Sequence, residues 1–170
     1  MEAFAMPEAR ECLQDAVGAL VDESLDTFSP HALGADLVDI RPAVDRLEAE
    51  FLRRLHRFHR ARGAQADGAV TTMSWLRHHC AMTVKAAASR VRLARTLAEL
   101  PATLDSARAG RVSLGNVTMI AHLAGDVGVA QVAPLERILV GAAETLEPRA
   151  MRTLHPGHPA AARPRRRARR

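Results

Sequence analysis

Residues 44–60 read Val44-Asp45-Arg46-Leu47-Glu48-Ala49-Glu50-Phe51-Leu52-Arg53-Arg54-Leu55-His56-Arg57-Phe58-His59-Arg60. Val44, Leu47, Phe51, Leu55 and Phe58 recur at steps of three and four, the period that gathers side chains on one stripe of an α-helix. Arg46, Arg53, Arg57 and Arg60 fall on the opposite side, where Glu50 is placed to pair with Arg46, Arg53 or Arg54. Turn residues from Arg62-Gly63 to Asp67-Gly68 close the element. The arginine row has two readings, a surface for DNA phosphates or a solvated helix face.

The same period continues outward in both directions. Upstream, Pro7 suits a first helical turn, with Glu8 and Glu11 near the positive end of the helix dipole. Leu13, Val17, Leu20, Val21 and Leu25 then follow at helical spacing. Ser29-Pro30 caps and opens a segment carrying Leu33, Leu37, Val38 and Ile40. Arg41-Pro42 is expected to break or kink it, because proline disfavours helical geometry in the residue before it.

Downstream, Thr71 or Thr72 caps a short helix with Trp75 and Leu76, and Thr83 caps a longer one running to Leu100. Pro101 stops that helix and opens the next, over 102–109, which Gly110 closes. Ser113 caps another that ends at Gly125, and Pro134 or its neighbour starts a last one that stops near Pro148. Neither an alternating strand pattern nor a fixed-period repeat is present. The fold class is therefore all-α. We expect a bundle of about six to eight helices over residues 1–154, followed by a disordered tail over 155–170.

Composition narrows the function classes. At 170 residues the chain is long enough for one domain with a hydrophobic core. Aromatics are 3% with no Tyr, which argues against a stacking platform for nucleic acid. Cys12 and Cys80 cannot supply a disulfide framework or a cysteine-rich zinc site. The acidic start Met1-Glu2-Ala3-Phe4-Ala5-Met6-Pro7-Glu8 lacks the pattern of a secretory signal, and no apolar run approaches the roughly 18 residues of a membrane span. A soluble cytoplasmic protein without a membrane partner is expected.

The net charge of +5 is unevenly distributed. Residues 1–40 hold nine acids and one cation, Arg10, whereas 41–62 hold seven Arg against three acids. From Arg149 to Arg170 there are eight Arg and no acid, so everything before Arg149 sums to −3. The tail, with Pro156, Pro159, Pro164 and the run Arg165-Arg166-Arg167, has no large apolar side chain to offset its ordering entropy. It reads either as an arm that contacts phosphates or as arbitrary codons after a frameshift.

Chemistry-bearing clusters are few. His78-His79-Cys80 are adjacent and diverge on a helix, and His56 and His59 share a face at i and i+3 without a matching second pair. No phosphate loop, nucleophile elbow or carboxylate pair stands out, so neither catalysis nor a metal or cofactor is expected. Arg90 projects into the apolar arc of its helix and must find a carboxylate or helix-end carbonyls. The segment 102–125 reads as a helix-turn-helix that would carry Ser113, Asn116, Thr118 and Met119 to a major groove, or as two packed helices of an ordinary bundle.

Several blocks together resemble a known family. They are Ala66-Asp67-Gly68-Ala69, Ser74-Trp75-Leu76, Arg90-Val91-Arg92-Leu93-Ala94-Arg95, Leu97, Leu100-Pro101-Ala102-Thr103 and Ala107-Arg108-Ala109-Gly110-Arg111-Val112-Ser113. In order and spacing they are similar to the 13E12-repeat proteins, also called domain of unknown function 222, and the likeness extends more loosely from Leu13 to Leu154. The resemblance implies a helical domain that is usually followed by a His-Asn-His endonuclease domain, in proteins that often look like relics of mobile elements. Here the family-like sequence stops near Met151-Arg152-Thr153-Leu154 with no such motif after it, so the chain resembles a truncated member. Where relatives often carry His, this chain has Asn116.

The expectation is a non-catalytic helical module that associates with double-stranded DNA. Its candidate contacts are Arg90, Arg92, Arg95, Arg108 and Arg111, with Arg165, Arg166 and Arg167 of the tail. The alternatives are a module that binds itself or a nuclease partner through the stripe from Val44 to Phe58, or a degenerate fragment without present function.

Overall fold

The computed structural model describes residues 7–146. The expected tail, the boundary at residue 154 and Arg165, Arg166 and Arg167 lie outside the described residues. All secondary structure within them is helical: α1 (Pro7–Val21), a 3-10 turn (Leu25–Thr27), α2 (Pro30–Arg60), α3 (Gly63–Ala66), α4 (Thr72–His79) and α5 (Val84–Ala98). Then come α6 (Pro101–Arg108), α7 (Leu114–Val127), α8 (Val129–Val132), a second 3-10 turn (Ala133–Leu135) and α9 (Glu136–Thr145). None of these helices is long and apolar enough to cross a membrane.

The chain divides into two units between Asp39 and Ile40, inside α2. In the first, none of the described side chains is buried, and Val17, Leu20, Val21, Leu25, Leu37 and Val38 stand exposed. The apolar spacing of α1 is thus a helical pattern without a core of its own unit. Ser29 does cap α2, its Oγ accepting from the Ala32 N–H at 3.2 Å.

Of the two outcomes expected at Pro42, a break or a kink, the break does not occur, and α2 runs through the proline. Its missing N–H leaves the carbonyl four residues back, at Val38, without a helical donor. Val38 is solvent-exposed, so water can take that bond and the helix continues.

The second unit holds the core: Leu52, Leu76, Leu97, Leu100, Val112, Val117 and Ile120, interleaved with Ala49, Ala87, Ala94, Ala107 and Ala124. So many alanines let helices approach closely. Helix α5 is central, packing on α4, α6 and α7, while α6 and α7 also meet α9. The face of α2 that enters this core is Asp45, Ala49, Leu52 and Leu55. It is turned from the stripe read in the sequence, since Val44 and Leu47 are exposed and Phe51 and Phe58 only half-buried.

Helix ends are closed partly by residues remote in sequence. Thr71 forms a capping box with Ser74, and Thr83 and Ser113 accept from Ala86 and Asn116 as their positions imply. At α6 the N-cap residue is Leu100, which has no polar side chain; Glu136 of α9 takes that role, its Oε1 accepting from the Thr103 N–H at 2.7 Å. Asp45 of α2 accepts from the Leu114 N–H at 3.0 Å, placing a carboxylate at the positive end of α7.

Candidate nucleic-acid interface

Three of the five body arginines singled out by sequence are held in ion pairs. Arg90 meets Glu48 of α2, the carboxylate that its place in an apolar arc demanded. Arg108 bonds Glu50 at 3.2 Å and Asp105 at 3.4 Å, and its carbonyl accepts from Arg46 at 3.2 Å. Arg111 donates to Glu144 at 2.9 Å, and Ser106 donates to the same carboxylate oxygen at 2.8 Å. These contacts join α2, α5, α6 and α9, so the three guanidiniums serve the packing of the unit.

The carboxylates record this. Glu50 also holds Arg53 and Arg54, each at 2.7 Å. The bond from Arg53, helped by Arg54 and opposed by partial burial, pulls its carboxyl down to about 2. Glu144 is lowered as well, first by the Ser106 hydroxyl and then by Arg111.

Arg92 and Arg95 behave differently. Both are exposed on α5, and neither makes an ion pair with a described residue. Arg57 and Arg60, at the end of α2, are likewise exposed and make no ion pair with a described residue. The half-buried His56 connects the two helices electrostatically. Its pKa lies below the ordinary imidazole value because of burial, then the charges of Arg60, His59 and Arg95, with Glu99 acting in the opposite sense. Arg60 of α2 and Arg95 of α5 are thus both within electrostatic reach of His56, and Arg57 and Arg92 lie one turn away from them on their own helices. Sequence reasoning had Arg57 and Arg60 in a solvent-facing row but did not join them to Arg92 and Arg95; no local signal gives the neighbour of α2.

The groove-reading alternative for 102–125 needs Asn116, Thr118 and Met119 turned outward. Asn116 of α7 is only 2% exposed, and its Nδ2 donates to the carbonyls of Ala143 and Leu146, both at 2.9 Å. Thr118 is half-buried and donates to the Leu114 carbonyl at 2.8 Å, and Met119 packs against the core. Of the two readings of 102–125, the packed pair of helices matches this burial. Gly110 makes their turn at φ +76°, and a Cβ there would sit 3.1 Å from the Arg46 side chain. A cleft of about 400 Å³ nearby is lined by Arg41, Asp45, Arg111 and Glu144, whose charges already pair with one another.

The histidine clusters serve packing. His79 stacks on Trp75 with centroids 4.6 Å apart and His78 meets His79 edge-on, while His59 shares a 2.8 Å bond with Thr72. Trp75 also packs on Phe58 and donates to Asp67 at 2.8 Å. Among the described residues no group of three or more His, Cys, Asp or Glu could hold a metal ion. No protein-family model, curated protein or solved structure matches the chain.

Proposed function

We propose that this chain is a non-catalytic helical module that associates with double-stranded DNA through phosphate contacts from Arg60 and Arg95, supported by Arg57 and Arg92. The observation that supports it is that Arg60 of α2 and Arg95 of α5, both exposed and without an ion pair to a described residue, act electrostatically on the same half-buried His56. Unpaired, exposed guanidiniums are the ones that can release counterions from a phosphate backbone, whereas Arg90, Arg108 and Arg111 would first have to leave their carboxylates. The resemblance to 13E12-repeat proteins supplies the context, a helical module derived from a nuclease-bearing mobile-element protein. With no base-reading helix exposed on α7, binding is by backbone and independent of sequence.

His56 is a built-in reporter. Burial is the first cause of its lowered pKa and the charges of Arg60 and Arg95 add to it, so phosphates bound beside those two should raise the pKa part of the way toward the ordinary value near 6.5. The change is read by NMR titration of the ring protons, assigned with His56→Gln. A pKa that stays put while the duplex is bound would show that DNA sits elsewhere. Without DNA, a depressed imidazole pKa means that the folded state binds its proton late. Stability contributed by neutral His56 is therefore complete above about pH 6.5 and declines as pH falls through the folded pKa.

A further inference from the structure

Glu50 gathers a second group of arginines, none of them among the four assigned to DNA. Its Oε1 accepts from Arg53 and Arg54 of its own helix, each at 2.7 Å. Its Oε2 accepts from Arg53 Nε at 2.8 Å and from Arg108 Nε of α6 at 3.2 Å. Arg53 thus holds the carboxylate as a two-point fork, while Arg54 and Arg108 reach it through Nε. Arg46 joins from the preceding turn, donating from Nε to the Arg108 carbonyl at 3.2 Å. Its side chain lies over Gly110, where a Cβ would stand 3.1 Å away. Asp105, itself exposed, adds a contact to Arg108 at 3.4 Å. Among the described residues the group therefore sets four guanidiniums against two carboxylates, a surplus of two positive charges. All six side chains belong to the second unit.

We propose that this group binds a dianionic phosphate, carried by a small phosphomonoester or present as the free ion, with Glu50 as the scaffold that fixes the guanidiniums. This goes beyond DNA association and does not depend on it. The surplus of two charges matches a phosphate dianion, whereas each phosphodiester of a nucleic acid carries one. Ordering several arginine side chains around an anion is costly in entropy. Here Glu50 has ordered them beforehand, so the ligand meets donors already in place. Those donors are left over from the internal bonds. A guanidinium has five N–H groups, and the terminal nitrogens of Arg46 and Arg54 meet no described acceptor. Arg53, Arg54 and Arg108 keep 43%, 52% and 42% of their side chains exposed, so solvent reaches the group. The ligand takes the spare donors, and no guanidinium has to leave its carboxylate. Glu50, held down to about 2, stays charged wherever phosphate is a dianion, so the scaffold persists.

The test is titration calorimetry on the full-length chain at about pH 8, above the second phosphate ionisation, and at fixed ionic strength. The probes are methyl phosphate, inorganic phosphate and the monoanionic diester dimethyl phosphate. Methyl or inorganic phosphate should bind saturably and at least about fivefold more tightly than dimethyl phosphate; the tighter of the two identifies an ester or the free ion as the source. Arg46→Gln and, separately, Arg54→Gln should each weaken that binding by about fivefold or more with unchanged far-UV circular dichroism, because both side chains are exposed. Arg77→Gln removes the same charge from an exposed position on α4 and should change the affinity by less than about twofold. A native chain without saturable binding up to about 10 mM overturns the proposal. So does dimethyl phosphate binding as tightly as the monoester. Equal affinities for the Arg46, Arg54 and Arg77 variants overturn it as well, since a diffuse positive surface or the arginine tail would give that result.

Discussion

Leu97→Ala is expected to lower the unfolding free energy by about 3 kcal/mol, within the range for emptying a fully buried leucine site. Leu97 is 1% exposed on α5, the helix against which α4, α6 and α7 all pack. Leu97 belongs to the buried core cluster, so collapse into the space would need its neighbours to shift together. The cost is therefore the lost transfer free energy and most of a cavity term. Urea unfolding should show a lower midpoint with an unchanged slope. A loss below about 1 kcal/mol would mean that α5 is not packed as described. Arg92 and Arg95 ride on this helix, so the same substitution loosens the platform that presents them.

Asn116→Asp should be at least as damaging at neutral pH, costing about 3 kcal/mol or more, although it changes no side-chain volume appreciably. The amide nitrogen donates to two carbonyls at the end of α9, and its own Oδ1 has no partner among the described residues. A carboxylate in that position presents oxygens to oxygens, in a site that is 98% closed to water if measured by the 2% residual exposure. Burial and the facing carbonyls would raise the pKa of the new acid. Its folded form then binds a proton before its unfolded form does, so the variant should regain stability relative to the native chain as pH falls through the raised value. Paired unfolding experiments at neutral and mildly acidic pH read this directly. A difference from the native chain that is small at neutral pH, or independent of pH, would contradict the hydrogen-bond assignment at Asn116.

Much of the secondary structure is legible in the sequence because its signals are local. Thr71, Thr83, Ser113 and Pro101 mark helix starts through bonds or ring geometry that act within a few residues, and each stands where a helix begins. Arg90 was legible as a charge needing a carboxylate, though not which one; Glu48 lies on another helix. That α2 continues unbroken through Pro42 was not legible, because the fate of the carbonyl the proline strands depends on solvent exposure, which spacing does not reveal.

The core face of α2 was hidden for a related reason. Its buried side includes Ala49 and a carboxylate, Asp45, that caps α7 from 69 residues away, and both look unlike core residues in isolation. The larger apolar residues Val44 and Leu47 draw the eye to a stripe that this unit leaves exposed. As for the candidate interface, sequence gave the arginines but not their partners. Which guanidiniums are bound and which are available is decided by acids on other helices, and that separates Arg90, Arg108 and Arg111 from Arg92 and Arg95.

The central claim is that the available arginines, and not the paired ones, hold DNA. Its most direct test is the salt dependence of duplex affinity, by fluorescence anisotropy, for the full-length native chain and for Arg92→Glu/Arg95→Glu. Both side chains are exposed and unpaired, so the fold should be unaffected. Each phosphate contact contributes about −0.9 to the slope of log affinity against log salt, so losing two should make the slope shallower by about 2 and weaken binding at low salt at least tenfold. Equal affinity and equal slope for the two proteins would contradict the account.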